Sequence, residues 1–259
     1  MVPFSRFAGL IPLLFSGRAQ THWRGIRLRV DPGETFGYFL YFCGEREPDV
    51  EFDWLLAHAN GARMFVDVGA HIGLYAIALA AHRPSLSVTA FEASPTVAGQ
   101  LRDNIALNPG VASRITVVEQ AVSSSVGTQA FLEASGLNSS VGRLVEQPKV
   151  PGRSTLRVNS ITLADYFDNG EPPDVVKIDV EGAELDVLEG WGALPPARAV
   201  LVELHQPDPH EQVDRRPIVI NWFLARGYRL QYLVGDFIVD ECPQPIPARL
   251  HVLATHSAR

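Results

Sequence analysis

One stretch limits what this chain can become more than any other: Phe65-Val66-Asp67-Val68-Gly69-Ala70-His71-Ile72-Gly73-Leu74-Tyr75. An apolar run ends in an acid, glycines follow, and a helical pattern begins. This reads as a buried strand, a tight glycine turn and a helix N-terminus, an arrangement that holds nucleotide-like ligands. The rest of the chain fits that frame. Met64–Val68, Ser87–Phe91, Ile115–Val118, Val175–Asp179 and Ala199–Leu204 read as strands. Leu74–Ala81, Pro95–Leu107, Gly182–Glu189 and Ile218–Arg226 read as the helices between and after them. Strands alternating with helices predict a mostly parallel sheet covered on both faces. Tyr228–Val234 and Leu250–Thr255 are the expected last strands, with a Pro-rich loop between them.

Two regions depart from the alternation. Residues 127–158 are rich in Gly, Ser and Pro, with short β-like pieces at Gln129–Leu132 and Leu156–Val158, and are expected to form a β excursion beside the sheet. Asn159–Phe167 is expected to restart a helix. Before the sheet, Gly25–Val30 alternates apolar and basic residues like a half-exposed strand, Tyr38–Gly44 fits strand or helix, and Asp49–His58 fits a helix. Residues 1–60 are therefore expected to be an extension packed on one domain at 61–259. The apolar Phe7–Phe15 loosely resembles a short signal peptide, but Pro12 interrupts it, and an N-terminal arm is the preferred reading.

The net charge of −7 argues against a nucleic-acid partner, which wants a basic face. No run approaches the ~20 apolar residues of a membrane span. Cys43 and Cys242 make no disulfide framework, so a reducing, cytoplasmic setting is expected.

The turn also discriminates between ligands. A dinucleotide fingerprint starting at Gly69 needs glycine at 71 and 74, where the chain has His71 and Leu74. A pyrophosphate would meet the His71 side chain, so a nucleotide-dependent oxidoreductase is the weaker reading. S-adenosylmethionine carries no phosphate and fits better. Gly69 and Gly73 are expected to let backbone approach its amino-acid tail, and Asp67 to offer its charge to the ammonium, directly or through water. Glu92, at the end of the next strand, is expected to accept the ribose hydroxyls. Ala121, after the third strand, is expected to offer a backbone amide to the adenine.

These residues resemble the FkbM family of S-adenosylmethionine-dependent methyltransferases. The resemblance lies in Phe65–Gly73, Phe91-Glu92-Ala93-Ser94-Pro95, Val176-Lys177-Ile178-Asp179-Val180-Glu181-Gly182-Ala183-Glu184 and Val202-Glu203-Leu204-His205, and it covers roughly residues 25–257. Asp-Val-Glu-Gly-Ala-Glu is its most specific piece. His71 stands where the family often has Asn, and Ala93 where it often has Pro. The resemblance implies a Rossmann-like class I methyltransferase fold with a seven-stranded sheet, the last strand antiparallel. It also implies methyl transfer, usually to oxygen, on a natural-product, saccharide or other small-molecule acceptor.

Asp179 and Glu181 are expected to border the cofactor cleft. Glu184, at a helix start, fits a dipole-stabilising role as well as any chemical one. An alcohol acceptor needs a base or a metal. His205 is the candidate base, with Glu203 to orient it, and Asp179 is the rival. Asp179, Glu203 and His205 together would also suit a divalent ion, but their spacing matches no metal signature, and no metal is assigned. Asn138-Ser139-Ser140 are expected to be an ordinary polar loop, and His22, His82 and His251 to be non-catalytic. A non-catalytic binding protein keeping the fold is the remaining alternative; intact Asp67, Glu92 and Asp179 argue against it.

Overall fold

The computed structural model describes residues 17–44, 49–133, 142–145, 155–168, 170–207 and 213–257. The Phe7–Phe15 arm and Asn138–Ser140 lie outside the described residues. Strands β1 (Ala19–Trp23) and β2 (Ile26–Val30) pair as an antiparallel hairpin. Its two-residue turn, Arg24-Gly25, has positive φ at both positions, the geometry that matches strand twist. Helices α1 (Thr35–Phe42) and α2 (Val50–His58) follow. Asp49 caps α2, accepting a hydrogen bond from the Phe52 amide at 2.8 Å.

The alternating core then runs β3 (Met64–Val68), α3 (Leu74–His82), β4 (Ser87–Phe91), α4 (Pro95–Ala106), α5 (Pro109–Ala112) and β5 (Ile115–Val118). Ser94 caps α4 and Pro95 occupies its first turn, where a missing N–H costs nothing. The excursion comprises β6 (Ala121–Val122), β7 (Gly127–Leu132), β8 (Arg143–Val145) and β9 (Thr155–Ile161). They form a separate four-stranded sheet in the order β6-β9-β7-β8. The chain returns through α6 (Leu163–Tyr166), β10 (Val175–Ile178), α7 (Glu184–Glu189), β11 (Ala199–His205), α8 (Arg216–Ala225), β12 (Arg229–Val234), β13 (Phe237–Val239) and β14 (Arg249–Thr255).

The main sheet has the order β13-β12-β14-β11-β10-β3-β4-β5. β11, β10, β3, β4 and β5 are mutually parallel, whereas β14 runs against both its neighbours. This is the expected Rossmann-like arrangement with one addition. β13 is an eighth strand, hairpinned onto β12 in the segment read as a loop. A second correction concerns Asn159–Phe167. Its first three residues belong to β9, where Asn159 and Ser160 pair with Thr128 and Gly127. Only Leu163–Tyr166 is helical, started by Thr162, whose hydroxyl accepts from the Asp165 amide at 2.9 Å. Cross-strand pairing outweighs the weak local helix preference.

Two cores sandwich the sheet. Phe65, Val175, Ala199, Leu201 and Leu253 pack on one face with α2 and α3. Val66, Val68, Val176, Ile178, Val200, Val202 and Val252 pack on the other with α7 and α8. Trp23, Ile26, Leu28, Val30, Leu40 and Phe52, all from the first 60 residues, lie in the first core. Each fully buried side chain of this size contributes roughly 1.5–3 kcal/mol. Two asparagines fasten the hairpin to α4 and the glycine turn. Asn104 accepts from the Arg29 amide at 2.7 Å and donates to the Ile72 carbonyl at 3.0 Å. Asn108 accepts from the Arg27 amide at 3.0 Å and donates to its carbonyl at 2.7 Å. One helical turn apart, they satisfy alternate backbone groups along the open edge of β2.

Candidate active site

The glycine turn is fixed by backbone geometry. Gly69 has φ 79°, and a Cβ there would overlap the Asp179 carbonyl oxygen. Its amide and that of Ala70 donate to the Phe91 carbonyl at 3.0 and 2.9 Å, tying the turn to the end of β4. Gly73 has φ 90°, and a Cβ there would overlap the Leu101 side chain of α4. Gly73 therefore lets α3 and α4 pack closely and does not line the cavity, contrary to the approach to a ligand tail expected of it. His71 is left-handed too, with φ 52°, a conformation uncommon for a residue with a side chain. Its amide donates to Glu92 Oε2 at 2.9 Å, which helps hold it there.

A cavity of about 650 Å³ opens beside this turn. Gly69, Ala70, His71, Glu92, Ala121, Asp179 and Glu181 line it, as do Lys177 and Glu203. Further walls come from two places outside the core alternation: Thr35, Phe36 and Phe39 of α1, and Phe131 and Leu144 of the excursion. Glu92 Oε1 accepts from the Ser94 amide at 2.9 Å, so its two oxygens bridge the two loops that close this end. Burial, only partly offset by these amides, raises the Glu92 pKa to about 7. Burial lowers the His71 pKa to about 4, so its ring is neutral at pH 7.

Period-two alternation explains the polar floor. Asp67, Lys177, Glu203 and His251 occupy neighbouring strands and project from the same face as Phe65, Val175, Leu201 and Leu253. Asp67 is opposite Lys177, Glu203 opposite His251, and His205 opposite Arg249. Lys177 Nζ donates to Asp179 Oδ2 at 3.0 Å and lies 4.0 Å from Asp67 Oδ1. Burial works against the ammonium, but the Asp179 and Asp67 carboxylates outweigh it and raise its pKa. Asp67 is almost wholly buried and does not line the cavity, so the ammonium contact expected of it is not direct. Burial raises its pKa to about 6 despite Lys177.

His205 stands among four carboxylates. Its Nδ1 is 2.8 Å from Glu184 Oε1, and its Nε2 is 3.2 Å from Glu181, 3.3 Å from Glu203 and 4.0 Å from Asp179. Glu184 Oε1 also accepts from the Gly182 amide at 2.9 Å. Glu181 is left-handed at φ 55°. Burial disfavours the imidazolium, yet Glu184, Glu203 and Glu181 outweigh burial and raise its pKa to about 10. A ring already protonated at pH 7 cannot take a proton, which disfavours His205 as the base. Burial opposes ionisation of Glu203, but His205, His251 and Arg249 outweigh it and hold its carboxyl far below the usual range. Arg249 Nε is 2.5 Å from Glu203, and His251 Nε2 is 3.2 Å from Glu203 and 3.1 Å from Glu51.

Asp179, Glu181, Glu203 and His205 are thus brought together, beside the turn and Glu92. Sequence reasoning named neither Glu51 nor Arg249, read His251 as non-catalytic, and left Glu184 evenly between a dipole-stabilising role and a chemical one. Alternation within Leu250–Thr255 does put His251 on the sheet face away from Leu250 and Val252. Only the reversed placement of β14 beside β11 shows that this face meets Glu203.

Comparison with known proteins identifies the family. Residues 67–230 match the family model described as the methyltransferase FkbM domain. Methyltransferase sdnD of Sordaria araneosa is 31% identical over 185 residues, covering 59% of this chain and 70% of that protein. Hexuronic acid methyltransferase AglP of Haloferax volcanii is 31% identical over 158 residues, covering 58% of this chain and 59% of that protein. The chain therefore spans less than two thirds of that second relative. Among solved structures, methyltransferase FkbM of Methylobacillus flagellatus superposes with a TM-score of 0.47 at 17% identity, over 74% of this chain and 43% of that one.

Proposed function

The chain belongs to the FkbM family of S-adenosylmethionine-dependent methyltransferases, and we propose that it methylates a hydroxyl oxygen of a small-molecule, natural-product or saccharide acceptor. The observation that carries this reading is the carboxylate cluster of Asp179, Glu181 and Glu203 in the wall of the same cavity as the glycine turn and Glu92. In this reading Glu92 accepts the ribose hydroxyls, the Ala121 end of the cavity takes the adenine, and Gly69 and Asp179 border the methionine part. Residues 61–259 act as the catalytic unit, with 1–60 as its lead-in.

The acceptor oxygen attacks the methyl carbon in line with sulfur. The C–O bond forms as the S–C bond breaks, and the sulfur leaves with the bond pair as neutral S-adenosylhomocysteine. The enzyme's contribution is to hold oxygen, carbon and sulfur near attack distance. It must also dispose of the hydroxyl proton, and the cavity-facing carboxylates suit this better than the cationic His205. Asp179 is the first candidate, since Lys177 fixes one of its oxygens.

The relative named as a hexuronic acid methyltransferase makes sugar acids a natural start for an acceptor panel. The test incubates the protein with S-adenosylmethionine and that panel, then locates the added methyl by mass spectrometry and NMR. An O-methyl product is expected. Transfer to nitrogen or carbon alone would overturn the oxygen assignment, and no calorimetric binding of S-adenosylhomocysteine would overturn the cofactor assignment.

A further inference from the structure

We propose that Asp179, Glu181 and His205, backed by Glu203, form a divalent-cation site in the cavity wall, and that this ion binds the acceptor hydroxyl. The proposal rests on the O-methyl transfer reading. One ligand atom from each of Asp179, Glu181 and His205 lies within 4.8 Å of the other two. Neighbouring ligands of an ion with ~2.1 Å bonds stand about 3 Å apart, and opposite ones about 4.2 Å. The 3.2 Å and 4.0 Å separations from His205 Nε2 to Glu181 and Asp179 fall in that range.

Two further observations point to a ligand. His205 Nε2 is buried and makes no hydrogen bond, although three carboxylates face it. Glu203 is 7% exposed, and its Oε1, 3.3 Å from that nitrogen, is held by Arg249 Nε at 2.5 Å. Meanwhile Glu184 engages Nδ1, the carboxylate–histidine arrangement that orients metal-ligating imidazoles.

Charge supports the same assignment. Among the described residues, the Asp179, Glu181, Glu184 and Glu203 carboxylates all lie within 4.0 Å of the His205 ring, an excess of negative charge around one imidazole. A divalent ion compensates that excess at a mostly buried site. Mixed carboxylate and imidazole donors suit Mn²⁺ or a similar ion. Asp179 and Glu181 also line the large cavity, so positions left open on the ion face the acceptor. An ion there would take the place of the proton on His205 Nε2 and acidify the bound hydroxyl.

The test uses the full chain, stripped with chelator and titrated with Mn²⁺ while free Mn²⁺ is followed by EPR. One bound ion per chain is expected, with affinity at least tenfold weaker in Glu181→Gln and in His205→Gln. Glu181 is partly exposed, so Glu181→Gln keeps the test usable should His205→Gln fail to fold. Mn²⁺ that stays free, or binds equally to wild type and Glu181→Gln, would overturn the site. Calorimetry of S-adenosylhomocysteine in the presence of chelator separates the two readings. Cofactor binding and oxygen methylation that persist without metal would sink the ion and leave the methyltransferase assignment intact.

Discussion

Glu92 carries two duties at once. Its oxygens hold the amides of His71 and Ser94, and the same carboxylate faces the cavity where a ribose would lie. Hydroxyls donate to a carboxylate better than to a protonated acid. With its pKa raised by burial to about 7, Glu92 gains its proton as pH falls from 8 to 6. S-adenosylhomocysteine affinity is therefore expected to drop about tenfold over that interval. Calorimetry at several pH values checks this, and in Glu92→Gln the affinity should be weaker and flat with pH. His205 gives the complementary lesson. As a residue type it suggested a base, because imidazole ordinarily titrates near neutrality. The surrounding carboxylates reverse that inference, and no property of residue 205 alone could have announced them.

At the scale of elements, the turn between β3 and α3 is the most constrained piece of backbone in the site. Gly69→Ala would place a methyl group on the Asp179 carbonyl at a left-handed φ. We expect it to destabilise the fold by about 2 kcal/mol or more, and to lower S-adenosylhomocysteine affinity because Asp179 must move. Denaturant unfolding and calorimetry measure the two effects. Asn104 is the corresponding fastening between α4, β2 and the turn. Asn104→Ala leaves the buried Ile72 carbonyl without its partner, at about 1–3 kcal/mol, and the more exposed Arg29 amide to water. A stability loss in that range is expected from denaturant unfolding. The strand–turn–helix was legible because its apolar run and glycines are local signals. β13 was not, because its three residues are all exposed and show no alternation, and the strand character of Asn159–Ile161 was not, because it depends on pairing with β7, far back in the chain.

Across the whole molecule, the cavity is closed by segments that are not part of the core alternation. α1 supplies Thr35, Phe36 and Phe39, and the excursion sheet supplies Phe131 and Leu144. Phe131 and Leu144 pack with Ala121 and Ala93, at the end assigned to the adenine, which leaves the α1 wall as the expected seat of acceptor choice. Phe39 is 42% exposed, so Phe39→Ala should cost little stability. It is expected to raise the acceptor KM severalfold and leave S-adenosylhomocysteine affinity within twofold of wild type, as steady-state kinetics and calorimetry would show. Among the described residues no helix is long and apolar enough to cross a membrane. The sequence by itself determined the alternating strands and helices, the glycine turn, the acid at the end of β4 and the Asp179–Glu184 stretch, because each is written in neighbouring residues. The tertiary structure alone decided that Asp67 is sealed behind Lys177, that Gly73 serves helix packing, and that His205 meets Glu181, Glu184 and Glu203. Those outcomes depend on strand order and register, which join residues distant in the chain and set the burial and charge that each group feels.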